Sequence, residues 1–199
     1  MVNEEEVRAE ILDTARGLIQ QFGLQKVTMQ DIAKATGKGK SSLYYYFKSK
    51  DEILDAVVEE EMLEVFIRCR DAVDRETDFG AKLKTYIITK IKVLEEKLAR
   101  YRFLIETDAH YFDFSSYFKK MRFLYDDKEV VLIKSIFKRG IESGAIRPTM
   151  VEEENIQLLA EIFLTAARGL EMEIFIQKEF KNMKAKTDLM LTVLLHGLQ

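Results

Sequence analysis

The 199-residue chain contains one cysteine, one proline, no tryptophan and two histidines. A lone thiol excludes an internal disulfide framework and any multi-cysteine zinc site, and it fits a reducing compartment. One proline, Pro148, and nine glycines leave little material for the many tight turns of an all-β fold, so long helices are expected. No stretch approaches the 18 or so uninterrupted apolar residues of a membrane span. The opening Met1-Val2-Asn3-Glu4-Glu5-Glu6 is acidic where a secretion signal is basic and then apolar, so a cytoplasmic location without membrane attachment is expected. With His110 and His196 far apart and Cys69 near neither, serine-hydrolase and cysteine-nucleophile layouts have no support. The run Glu152-Glu153-Glu154 reads as the acidic first turn of a helix rather than as a general acid and base. The expectation is a non-enzyme with no cofactor and no metal, the single His110 between Asp108 and Asp113 being a poor ligand set.

What is present is a globular balance, 47% hydrophobic and 33% charged residues. The net charge of −3 conceals a segregation. Residues 26–50 carry six bases against one acid, while residues 51–199 are acidic in sum. A local basic stretch of this kind is either a solvated surface or one that faces a polyanion, and the spacing of the helices that carry it bears on the choice.

Capping signals and apolar spacing divide the chain into about nine helices, an all-α fold. Asn3 with Glu6 opens the first, whose Val7, Ile11, Leu12, Ala15, Leu18, Ile19 and Phe22 recur at helical spacing up to Gly23. Thr28 with Asp31 starts a short second helix, broken by Gly37, and a third spans about 40–46. Ser49 with Glu52 starts a long fourth. Asp78-Phe79-Gly80 forms the next joint. Further helices are expected from Leu83 to Leu98, over roughly 120–140, and over about 152–179 and 184–198, with Gly140, Gly144 and Pro148 punctuating a loop. Domains at 1–50 and 51–199 follow.

Two short helices joined at a glycine, the second of them basic, have the spacing of a helix-turn-helix, whose second helix enters the major groove. Leu43 and Phe47, four apart, face inward; Tyr44, Tyr45 and Tyr46 sweep most of the circumference and cannot all be core. Gly39-Lys40-Ser41 ends like a phosphate-binding loop, but position 34 is Lys where that motif needs glycine, and no strand precedes it.

Residues 10–54 resemble the DNA-binding half of the TetR family of transcriptional regulators. Thr28, Ile32, Ala33, Ala35, Gly37, Leu43, Tyr44, Tyr46, Phe47, Lys50 and Leu54 carry the resemblance. It implies that Gln30, Lys40, Ser41 and Tyr44 reach base edges, and that Thr28, Ser42, Tyr45, Tyr46, Lys48 and Lys50 contact phosphates. Lys38-Gly39 stands where the family usually has Val-Ser, so an apolar anchor and a capping hydroxyl are both absent. The resemblance further implies a homodimer on double-stranded DNA and repression relieved by a small-molecule effector.

The helix expected over 152–179 is apolar on more than one face and must be covered on more than one side. One reading is the central helix of a monomer. The other, supported by the resemblance, pairs Ile156, Leu159, Phe163, Ala167, Leu170 and Ile174, with Leu189, Met190, Val193 and Leu194 of the last helix, against a second copy. Nine aromatics between 101 and 125 form either plain core or an effector pocket. For a pocket the candidates are Tyr86, Phe103, Glu106, His110, Phe114, Tyr117, Phe118, Phe137 and Phe163, accepting a largely apolar molecule. The alternative in another class is a helical protein-interaction or small-molecule-binding module without specific DNA readout.

Overall fold

The computed structural model describes residues 3–23, 26–100, 114–147, 153–177 and 182–198. Among them are eight α-helices: α1 Glu4–Phe22, α2 Met29–Ala35, α3 Lys40–Tyr46, α4 Lys50–Asp74, α5 Phe79–Arg100, α6 Phe114–Glu142, α7 Ile156–Gln177 and α8 Met183–Leu198. A 3-10 turn, Glu153–Asn155, leads into α7, and the described residues contain no strand.

The helix boundaries follow from local chemistry. Asn3 accepts a hydrogen bond from the Glu5 amide and caps α1; Gly23, at φ 85°, closes it by donating to Ile19 O. Thr28 and Asp31 form a complete capping box at α2. Ser49 Oγ accepts from the Glu52 amide at 3.1 Å, and the Glu52 carboxylate turns back to the Lys48 amide at 2.6 Å, so α4 starts where the Ser-x-x-Glu pattern places it. Asp78 Oδ1 accepts from the Ala81 amide at 2.7 Å and starts α5.

The loop expected around Gly140 is displaced. Gly140 lies inside α6, and a Cβ there would sit 2.7 Å from the Phe79 ring and 3.1 Å from Ile146. Its lack of a side chain serves packing, and the turn belongs to Gly144, at φ 76°.

By internal contacts the chain falls into two compact units, Met1–Leu63 with Glu95–Leu124, and Glu64–Leu94 with Tyr125–Gln199. Helices α4 and α5 each contribute residues to both. The core of the first unit joins Val7, Ile11, Leu12, Ala15 and Ile19 of α1 to Ile32, Ala33, Leu43, Phe47, Ile53 and Val57. Arg16 of α1 also pairs with Glu60 and Glu61 of α4, and buried Glu61 pairs in turn with Lys97. The second unit buries Tyr86, Phe137 and Phe163 completely or almost so, with ring centroids 6.1 Å apart for Tyr86–Phe163 and for Phe137–Phe163.

Candidate nucleic-acid interface and buried charge cluster

Helices α2 and α3 meet at Gly37, whose φ of 65° is the left-handed conformation that glycine adopts without a Cβ penalty. Leu43 and Phe47 have no exposed surface and fix α3 in the apolar core. The opposite face is thereby committed to solvent. Lys40, Ser41, Ser42, Tyr44, Tyr45 and Lys48 are exposed, as are Thr28 and Gln30 on α2, while Tyr46 and Lys50 are half-buried. Tyr46 packs against the core, so of the three consecutive tyrosines Tyr44 and Tyr45 are the ones presented outward.

The polar contacts refine individual assignments. Thr28 Oγ1 donates to Asp31 Oδ2 at 2.6 Å, and the Thr28 amide donates to the same oxygen at 3.0 Å. These bonds hold the Asp31 carboxyl below its usual value. Glu4 of α1 takes the hydrogen bond of the Tyr45 phenol, and its charge pushes that phenol up. Tyr45 and Tyr46 meet edge-to-face at 5.1 Å. Lys38, preceding α3, is paired with Glu10 of α1 at 2.7 Å, an ion pair between segments 28 residues apart that sequence spacing does not reveal.

The second unit holds a cluster of another kind. Lys90 Nζ donates to Glu129 Oε1 at 2.6 Å and to Tyr86 Oη at 3.3 Å, and lies 3.0 Å from Glu171 Oε1. The Tyr86 hydroxyl donates to Glu129 Oε1 at 2.7 Å. Arg168 pairs with Asp126 at 2.6 Å and lies 3.7 Å from Glu129. Burial alone lowers the Lys90 ammonium, but Glu171, Tyr86 and Glu129 outweigh it, so Lys90 stays charged. Burial pushes both carboxyls up. For Glu129 the Lys90, Tyr86 and Arg168 contacts reverse the sign and leave it low; Glu171, with Glu129 as a like-charged neighbour, remains raised. Nothing in the sequence pattern announced this network, because its members lie 39 and 81 positions apart.

Of the nine pocket candidates, Tyr86, Phe137 and Phe163 are brought together, next to this network. Phe103, Glu106 and His110 lie outside the described residues, and so do the side chains of Phe114, Tyr117 and Phe118 on α6. Among the dimer candidates, Leu189 and Val193 are exposed, at 67% and 68%, and Leu159, Leu170, Met190 and Leu194 are half-buried. The side chain of Ile174 lies outside the described residues. Ile156, Phe163 and Ala167, expected on the interface, are buried within the chain itself. Among the described side chains of α7, the large apolar ones left outside are Leu158, Ile162 and Met172. With apolar residues on both faces, helical periodicity fits either register, and only packing selects one.

Among the described residues no group of three His, Cys, Asp or Glu is placed to hold a metal ion, and no helix is long and apolar enough to cross a membrane.

A capped two-helix motif on an apolar base, with a lysine- and tyrosine-bearing second helix facing solvent, defines a helix-turn-helix DNA-binding protein. Residues 11–57 match the family described as bacterial regulatory proteins, tetR family. Over that segment the chain is similar to the DNA-binding region of the TetR family of transcriptional regulators. It is 32% identical over 88 residues to the HTH-type transcriptional repressor KstR2 of Rhodococcus jostii, covering 44% of this chain and 43% of that one. It is 27% identical over 147 residues to KstR2 of Mycobacterium tuberculosis, covering 72% and 70%. The fold is also that of the fatty acid degradation regulator FadR of Bacillus halodurans, with a TM-score of 0.63 at 20% identity over 97% of this chain and 96% of that one. FadR of Bacillus subtilis, crystallised in complex with stearoyl-CoA, aligns with a TM-score of 0.64 at 21% identity over 96% and 99%.

Proposed function

We propose that the chain is a homodimeric repressor that reads a palindromic operator through α3 and is released by a small, largely apolar effector. The exposed face of α3 carries this reading: lysine, hydroxyl and phenol groups converge there on a helix held from behind by Leu43 and Phe47. Lys40, Ser41 and Tyr44, with Gln30 of α2, reach base edges. Thr28, Ser42, Tyr45, Tyr46, Lys48 and Lys50 hold the backbone on either side. Residues 1–50 form the reader and residues 51–199 the sensing and dimerising portion, with α4 beginning at the boundary.

A recognition helix of seven residues reads few base pairs, and a two-fold pair reads two half-sites about 34–36 Å apart. The surface offered for pairing is the exposed apolar face of α7 and α8, centred on Leu158, Ile162, Leu189 and Val193. In the second unit, Phe137 and Phe163 supply the apolar ground for an effector and the Tyr86–Lys90–Glu129–Glu171 network its polar limit. An effector that prefers the non-binding geometry withdraws the protein from its operator by differential affinity alone.

The experiment is selection of duplexes from a random pool, followed by binding to selected and random DNA across a salt series. A steep salt slope and an enriched palindrome are expected; absence of binding at low salt defeats the reading. Stearoyl-CoA, the ligand of a neighbour in fold, is the first compound to add to the selected complex.

A further inference from the structure

The turn into α3 has little to hold it. Gly37 adopts a positive φ with nothing within 4 Å of where its Cβ would lie. Gly39 occupies the cap position without a side-chain hydrogen bond, and its nearest neighbour there is Ser41 Oγ at 3.9 Å. A helix of seven residues does not persist without tertiary support. Between these two glycines stands Lys38. Its amide donates to Ala33 O at 3.0 Å, its side chain is only 19% exposed, and its ammonium meets Glu10 Oε2 at 2.7 Å. At the far end of α3 the Arg8 guanidinium lies 4.3 Å over the ring of buried Phe47. Helix α1 therefore grips α3 at both ends, through a charge pair at the start and a cation–π contact at the finish.

Charge counting alone makes Lys38 one of six bases available to phosphate in the segment 26–50. Its surroundings argue otherwise. The aliphatic stem lies along protein, and the head is already compensated by a carboxylate of a helix outside the motif. Removing Glu10 then has two opposed consequences: loss of an anion near DNA strengthens binding, and loss of the tether weakens it.

We infer that Lys38 is a tether and not a phosphate ligand, and that Glu10, acting through it, is a positioning residue for the recognition helix. The inference rests on the DNA-binding reading above.

The test measures binding to a random-sequence duplex of about 30 base pairs, some three helical turns, and to the selected duplex, over a salt series. The proteins are wild type, Lys38→Met, Lys48→Met, Glu10→Gln and the Glu10→Gln/Lys38→Met pair, each first checked for a wild-type helical spectrum. Lys38→Met is expected to keep the wild-type slope of log K against log salt, whereas Lys48→Met flattens it by about 0.9, the increment for one phosphate contact. Glu10→Gln is expected to weaken binding to the selected duplex by about fivefold, the upper range for a single exposed ion pair. In the Lys38→Met background the tether is already gone and only the loss of the anion remains, so Glu10→Gln is expected there to leave binding equal or tighter, never weaker. A flatter slope in Lys38→Met overturns the inference. So does unchanged or tighter binding by Glu10→Gln in the wild-type background. Wild-type protein that binds neither duplex at low salt removes the DNA-binding reading itself, and the inference with it.

Discussion

Lys90 sits 6% exposed between two carboxylates and a phenol, and the two carboxylates are not equivalent. Glu129 accepts from Lys90 and Tyr86 and has Arg168 nearby; Glu171 meets Lys90 at 3.0 Å and has Glu129 as a like-charged neighbour. Glu129 is held below its ordinary value, so its stabilisation is present above that value and is lost as pH falls through the lowered one. Glu171 is held above its ordinary value, so it opposes folding at neutral pH and is relieved as pH falls through the raised value. The two glutamines should therefore act in opposite directions near neutral pH. Glu129→Gln removes the main partner of a buried ammonium and is expected to cost about 3–5 kcal/mol. Glu171→Gln is expected to leave the protein as stable or more so, with the gain vanishing in acid. Paired thermal and urea melts at neutral and acid pH check both signs, and equal losses in the two variants would contradict the assignment.

At the scale of helices, the starts were legible in the sequence because they are local. Thr28 with Asp31 and Ser49 with Glu52 place helix starts within a few residues, and the structure puts α2 and α4 there. The recognition helix was legible for the same reason: Gly37, Leu43 and Phe47 state a turn and an inward face within ten positions. What was not legible depends on partners far along the chain. The inward register of Ile156, Phe163 and Ala167 is chosen by the rings and helices they meet, and Leu158 and Ile162 fit helical spacing equally well. Gly140 shows the same limit. Read as punctuation, it is in fact a contact surface, since the Phe79 ring occupies the space of a side chain. Gly140→Ala is expected to destabilise by about 1–3 kcal/mol through overpacking, although alanine is the better helix former. A denaturant melt decides it: a stabilised variant would mean that Phe79 moves aside at no cost.

For the whole molecule, the exposed Leu158, Ile162, Leu189 and Val193 make self-association the consequence most open to test. Ile162 is 61% exposed, so a charge there costs little within one chain. Ile162→Asp is expected to give a folded monomer by light scattering at micromolar concentration and to lose the selected palindrome by about a hundredfold or more, while retaining part of the weak, salt-sensitive binding to random DNA. A dimer of undiminished stability would move the interface elsewhere.

Cys69 gives the molecule a built-in clock for its own opening. The thiol is 1% exposed, and burial pushes it up to about 12 against the influence of Lys90. In the native state it is neither reachable nor ionised, and the chain has no second thiol to confuse the signal. Its reaction with a thiol reagent therefore times the excursions in which the second unit opens. An effector that binds the closed form would slow that labelling in proportion to its occupancy, so one native cysteine converts ligand discovery into a rate measurement that needs no DNA.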